Sequence, residues 1–141
     1  MSDATPVAVE LSADERAVLR CGLLEWWGPA RPTGALAAAM GSKDTTQLST
    51  EVGRLMAALD VEQALTPEDW QRVLVATEVV FASDVFGSGL DWPITTGFSD
   101  PDTIRLLRAV QRRMPRWRGS YQFSLQDGKA IISDPERPPT G

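Results

Sequence analysis

Residues 100–115, DPDTIRLLRAVQRRMP, carry the reading on which the fold turns. Asp100 is placed to cap a helix, and Pro101 falls at its first position, where a missing N–H costs nothing. At 100° per residue, Leu106, Leu107, Val110 and Met114 gather on one side, and Arg105, Arg108 and Arg112 on the other. Pro115 ends the run. A helix this amphipathic needs an apolar partner, so the upstream sequence should supply other helices.

It does. Ser12 and Glu15 have the spacing of a capping box, followed by Val18, Leu19, Cys21, Leu23, Leu24, Trp26 and Trp27, apolar around much of a helix. Gly28-Pro29 closes that element. Thr33 is placed to cap a short helix over 34–40, ended by Gly41. Leu48, Val52, Leu55, Met56 and Leu59 recur at helical spacing between Asp44 and Asp60. Thr66 caps the next helix, with Pro67 at the first position, Glu68 and Asp69 at the positive end of the dipole, and Leu65 and Trp70 spaced as a hydrophobic staple. The β-branched residues after Glu78 leave a strand open there. Residues 83–99 hold three glycines and a proline among large apolar groups, and read as a long, packed loop.

Beyond the amphipathic helix, Tyr121, Phe123 and Leu125 alternate with polar residues. Asp127-Gly128 and Lys129-Ala130-Ile131-Ile132 follow, the pattern of a β-hairpin with a type I′ turn. The expected fold is therefore mostly α, a compact bundle of four to five helices with a small C-terminal β-hairpin. Residues 1–10 read as a flexible N-terminus, 11–133 as one helical domain with the hairpin at 120–133, and 134–141 as a disordered tail.

Composition narrows the functions. The chain has 141 residues, 43% of them hydrophobic, and five tryptophans, enough for a core. It has no histidine and one cysteine, Cys21. That removes Ser-His-Asp and Cys-His nucleophile systems, His-ligated metals, Cys-rich zinc sites and dithiol redox chemistry. No signal-peptide pattern or run long enough to span a bilayer is present, so a cytoplasmic protein without a membrane partner is expected. Of the 14 basic residues only Lys43 and Lys129 are lysines, a usage typical of GC-rich bacterial genomes. The net charge of −5 is uneven: residues 1–100 carry 6 basic and 15 acidic groups, residues 101–141 carry 8 and 4. Such a split marks an interaction surface, or two parts of one fold that attract each other.

The candidate sites follow. Six arginines fall between Arg105 and Arg118, with Trp117 and Tyr121 beside them, a combination suited to an acidic protein surface, phosphate or single-stranded nucleic acid; the plainer reading is a solvated helix face. Trp92 is either an exposed contact or the plug that seats the 83–99 loop. Glu78, Asp84 and Asp91 would hold Mg²⁺ or do acid–base work if they converge; otherwise they scaffold the loop, with Glu78 a buried partner for an arginine of the amphipathic helix. Gly87-Ser88-Gly89 lacks the rest of a phosphate loop or nucleophile elbow and reads as a turn. Cys21 on its apolar helix reads as core filler.

Leu36-Ala37-Ala38-Ala39-Met40-Gly41 resembles the first helix and turn glycine of helix-turn-helix regulators, over about 25 residues. The resemblance implies DNA binding through Asp44–Leu59. Aligned on Gly41, three positions that are apolar in that motif are Ser42, Gln47 and Thr50, and the recognition helix offers only Arg54 as a base.

The leading expectation is a non-catalytic protein-interaction module, an adaptor, immunity-type protein or inhibitor. It would meet another protein through Arg105, Arg108, Arg112, Arg116, Trp92 and Trp117, with no cofactor or metal. The alternative is a nucleic-acid-binding transcriptional regulator using the degenerate helix-turn-helix or the arginine-rich helix. The third is a metal-dependent enzyme using the loop carboxylates. A homodimer is compatible with each.

Overall fold

The computed structural model describes residues 5–115, and residues 122–133 as backbone. The described part is mostly helical, with six α-helices: α1 (Ala13–Leu24), α2 (Gly34–Ala39), α3 (Thr45–Asp60), α4 (Pro67–Ala82), α5 (Trp92–Thr96) and α6 (Asp100–Arg113). Short 3-10 turns at Glu25–Trp27 and Gly89–Asp91 extend α1 and lead into α5. In the backbone of 122–133, β1 (Gln122–Gln126) and β2 (Lys129–Ser133) run antiparallel, with Gln122 opposite Ser133. The expected packing of this segment concerns side chains outside the described residues, as do the expectations for Arg116, Trp117 and the tail at 134–141.

The helix starts follow from side-chain caps. Ser12 accepts from the Glu15 amide while the Glu15 carboxylate accepts from the Ser12 amide, completing the capping box. Thr33, Asp44 and Thr66 cap α2, α3 and α4 by accepting the amides of Leu36, Gln47 and Asp69. At α6 the expectation is off by one residue. Ser99 is the cap, accepting from Asp102 N, and Asp100 and Pro101 are the first two helical residues. A serine hydroxyl does there what the Asp100 carboxylate was expected to do.

Two further expectations are corrected. The strand left open after Glu78 is helix, because α4 continues unbroken to Ala82. The loop at 83–99 contains a 3-10 turn and α5, so the bundle has one helix more than expected. Val7 bridges Leu65 in both directions, and its carbonyl accepts the Trp70 indole N–H at 2.8 Å. The first turn of α4 thus recruits the incoming chain.

The core lies where α1 meets α3 and α4, and α6 closes it. Val18, Leu19, Leu23, Val52, Leu55, Leu59, Val73, Val80, Leu106 and Val110 belong to one contiguous buried cluster. α1 and α4 pack closest at Gly22. A Cβ there would lie 2.6 Å from the Thr77 Cα and 2.3 Å from its Oγ1, so only glycine permits this approach. Thr77 is fully buried, and its hydroxyl donates to the Val73 carbonyl one turn back. Each of the four described tryptophans donates its indole N–H to a defined acceptor: Trp26 to Ala76 O, Trp27 to Ser49 O, Trp70 to Val7 O and Trp92 to Thr103 Oγ1. Burial of Trp26, Trp70 and Trp92 therefore leaves no orphan indole donor.

Candidate functional site

The amphipathic helix keeps the two faces its sequence predicts. Thr103, Leu106, Leu107 and Val110 of α6 are buried, and Arg105, Arg108 and Arg112 face outward with Ile104. Arg105 stands 3.6 Å from Asp102, a long contact between two exposed groups that stabilises little. Arg108 donates to Gln111 Oε1 at 2.7 Å, and Gln111 Nε2 in turn donates to Glu78 at 2.6 Å. Glu78 therefore takes a glutamine of α6, where the sequence suggested an arginine. Arg112 has no polar partner among the described residues. Arg113 points the other way, to the Glu15 carboxylate and the Glu10 carbonyl. It ties α6 to the start of α1.

Between α4 and α6 lies a cleft of about 210 Å³, with Phe81, Ala82, Ile104 and Leu107 as its apolar part and the Glu78–Gln111–Arg108 chain at its rim. The neighbouring segment adds more apolar surface. Val85, Leu90, Ile94 and Ile104 are 70, 81, 86 and 48% exposed. Local bonds hold this segment in shape. Ser83 Oγ accepts the amides of Val85 and Phe86, and Asp84 accepts the Leu90 amide. Gly87 lies so close to the Val80 backbone that a Cβ would fall 2.3 Å from its Cα. Trp92 is the plug. It is fully buried, edge-on to Phe81 with ring centroids 5.5 Å apart, and so forms no part of the exposed surface of this chain.

The carboxylates do not assemble into a metal centre: among the described residues there is no group of three or more acids, histidines or cysteines placed to hold an ion. Asp84 serves the loop amide, Glu78 serves Gln111, and Asp91 is exposed. Ser88 is buried in a turn.

A turn through Gly41, at φ +83°, joins α2 to α3. The one basic group of α3 is already spent. Arg54 binds both carboxylate oxygens of Asp69, at 3.0 and 2.8 Å, and also Glu51. These bonds raise its pKa further, chiefly through Asp69. Asp69 also takes Arg72, so this network locks α3 against α4.

One residue escaped the sequence reading. Glu25, just after α1, is only 2% exposed. Its Oε1 accepts from the Ser88 amide and hydroxyl, bridging the end of α1 to the 83–99 segment, and its Oε2 has no partner among the described residues. Burial pushes its carboxyl above the ordinary range, against the lowering effect of the two Ser88 bonds. The signal was present: Val18, Gly22 and Glu25 share one stripe of helical spacing whose other members are core.

No protein family, curated protein or solved structure matches the chain. No helix among the described residues is long and apolar enough to cross a membrane.

Proposed function

We propose that the chain is a non-catalytic protein-interaction module, an adaptor or immunity-type inhibitor, whose working surface is the outer face of α6 with the apolar segment before it. One observation supports this above the others. Val85, Leu90, Ile94 and Ile104 are all exposed within twenty residues, on the same stretch of chain as the outward Arg108 and Arg112, which form no ion pair among the described residues. Exposed apolar side chains rimmed by arginine are a common composition for protein contact surfaces. The partner is a protein with an apolar centre and an acidic rim, and the reading takes the cytoplasm as the compartment. It also keeps the C-terminal hairpin as part of the module, packed on the helices or paired with a second copy.

The test is capture from lysate with three baits: wild type, Arg108→Glu/Arg112→Glu, and Leu90→Asp/Ile94→Asp, each with and without nuclease. Specific capture that survives nuclease and is lost from both variants is the expected result. Equal capture by all three baits overturns the reading. Capture lost with nuclease and with the arginine reversal moves the assignment to nucleic-acid binding, for which Arg108 and Arg112 lack competing carboxylates, unlike Arg54.

A further inference from the structure

A second cleft, of about 190 Å³, opens beside the end of α1, lined by Leu24, Glu25, Trp27, Pro29, Thr95 and others. Drug-sized ligands occupy pockets of roughly 300–1,000 Å³, so this one suits a single side chain or a small molecule. Its walls are apolar and aromatic. Trp27 is 55% exposed, yet it is held in place by its bond to the Ser49 carbonyl.

The side-chain oxygens of the cleft are placed to accept hydrogen bonds, and Cys21 adds only a thiol, a weak donor. Ser88 Oγ lies close to both Glu25 Oε1 and, at 3.2 Å, Thr95 Oγ1. A hydroxyl has one proton. With the Ser88 proton on Glu25, the second contact runs from the Thr95 hydroxyl to Ser88, which leaves Thr95 Oγ1 able to accept. Thr96 gives its proton to the Trp92 carbonyl. Glu25 Oε2 has no partner among the described residues. No lysine or arginine lines the cleft. The nearby Arg20 is engaged by Asp60 at 2.8 Å.

We infer that this cleft is a binding site for an alkylammonium group, with Glu25 as its counter-ion, Thr95 as a further acceptor and Trp27 as its aromatic wall. Glu25 lines the cleft as a buried acid, and a cation seated beside it offsets the cost of its buried charge through the Coulomb attraction, without contact to Oε2. An indole face favours an organic cation over water. A divalent metal ion fits poorly, since hard cations take six or more oxygen ligands and a single carboxylate is present here. Two sources carry the same chemistry, a free small amine and a lysine side chain of another protein. The site does not depend on the surface across α6, and its failure would leave that reading intact.

The experiment follows the indole and amide NMR signals of the whole chain during titration with n-butylammonium chloride, with n-butanol as the uncharged control. The expected result is a saturable shift centred on Trp27 and Thr95 with the amine and none with the alcohol. Binding should be roughly tenfold weaker in Glu25→Gln and in Trp27→Leu. Trp27→Leu changes a half-exposed residue and keeps the test valid if Glu25→Gln does not fold. Shifts that fail to saturate, or that the alcohol reproduces, overturn the site. A third ligand separates the sources: Nα-acetyl-lysine methylamide binding more tightly than butylammonium assigns a partner's lysine, and weaker binding assigns a free amine.

Discussion

Trp92 gives its indole N–H to the Thr103 hydroxyl at 2.8 Å, and the same hydroxyl donates to the Ser99 carbonyl at 2.8 Å, so the short helix α5 is fastened to the cap of α6. Both side chains are fully buried. Thr103→Val keeps the shape and leaves the indole donor without a partner, which should cost about 1–3 kcal/mol in urea denaturation. Trp92→Phe/Thr103→Val should be less destabilised than the sum of its single variants. Strict additivity would show that the bond contributes nothing.

Gly22→Ala tests the α1–α4 contact. Alanine gains about 1 kcal/mol of helix propensity over glycine. Against this, its Cβ meets the Thr77 backbone Cα at 2.6 Å as well as the Thr77 side chain. The clash should win, with a net loss of about 1–3 kcal/mol. Thr77→Ala should not rescue it, because the backbone obstacle remains. A variant as stable as the wild type by thermal melting would contradict the packing described.

The pH dependence has two opposed components. Burial raises the Glu15 carboxyl, but the bonds from Arg113 and Ser12 outweigh it and leave the group below the ordinary range. A depressed carboxylate stabilises the fold above its unfolded value, and that stability is lost as pH falls through the folded value. Arg113→Ala should therefore cost most near neutrality. The loss should lie between the about 1 kcal/mol of an exposed pair and the about 3 kcal/mol of a buried one. Denaturation curves of the two proteins should converge in acid; a constant offset at every pH would refute the assignment.

Glu25 works in the other direction. Its folded carboxyl is raised, so its contribution is fully present below the unfolded value and lost as pH rises through the folded one. Glu25→Gln removes that titration. Its midpoint relative to wild type should climb as pH passes upward through the carboxyl range. A flat difference would mean that Glu25 does not titrate in the folded protein.

Arg108→Glu/Arg112→Glu should leave stability within about 0.5 kcal/mol, as expected for exposed positions outside any buried network. A large loss would assign the arginine face a structural duty and remove it from any contact surface.

The helix starts were legible because caps are local: Ser12 with Glu15, and Thr66 with Pro67, are read from a few neighbouring residues. The α6 stripe was legible for the same reason. Residues 83–99 were not, because α5 is five residues long and held by Trp92 against Thr103, a contact that periodicity does not encode. Trp92 left two readings open in the sequence, and its burial selects the plug. Glu25 was missed since an acid next to Trp26 and Trp27 reads as a solvated interruption until Ser88, far along the chain, is brought to it. The arginines were legible as a group, but only folding separates Arg113, which braces α1, from Arg108 and Arg112, which do not.

Gly53 of α3 has a consequence that reaches beyond its own helix. A Cβ at this position would fall 2.7 Å from the Trp27 ring, so the indole can keep its place only because residue 53 has no side chain. Gly53 is not among the residues that line the cleft beside Glu25, yet the position of one of its walls depends on it. Position 53 acts as a set-screw: adding one methyl group there would change the width of the opening while leaving every one of its chemical groups in place.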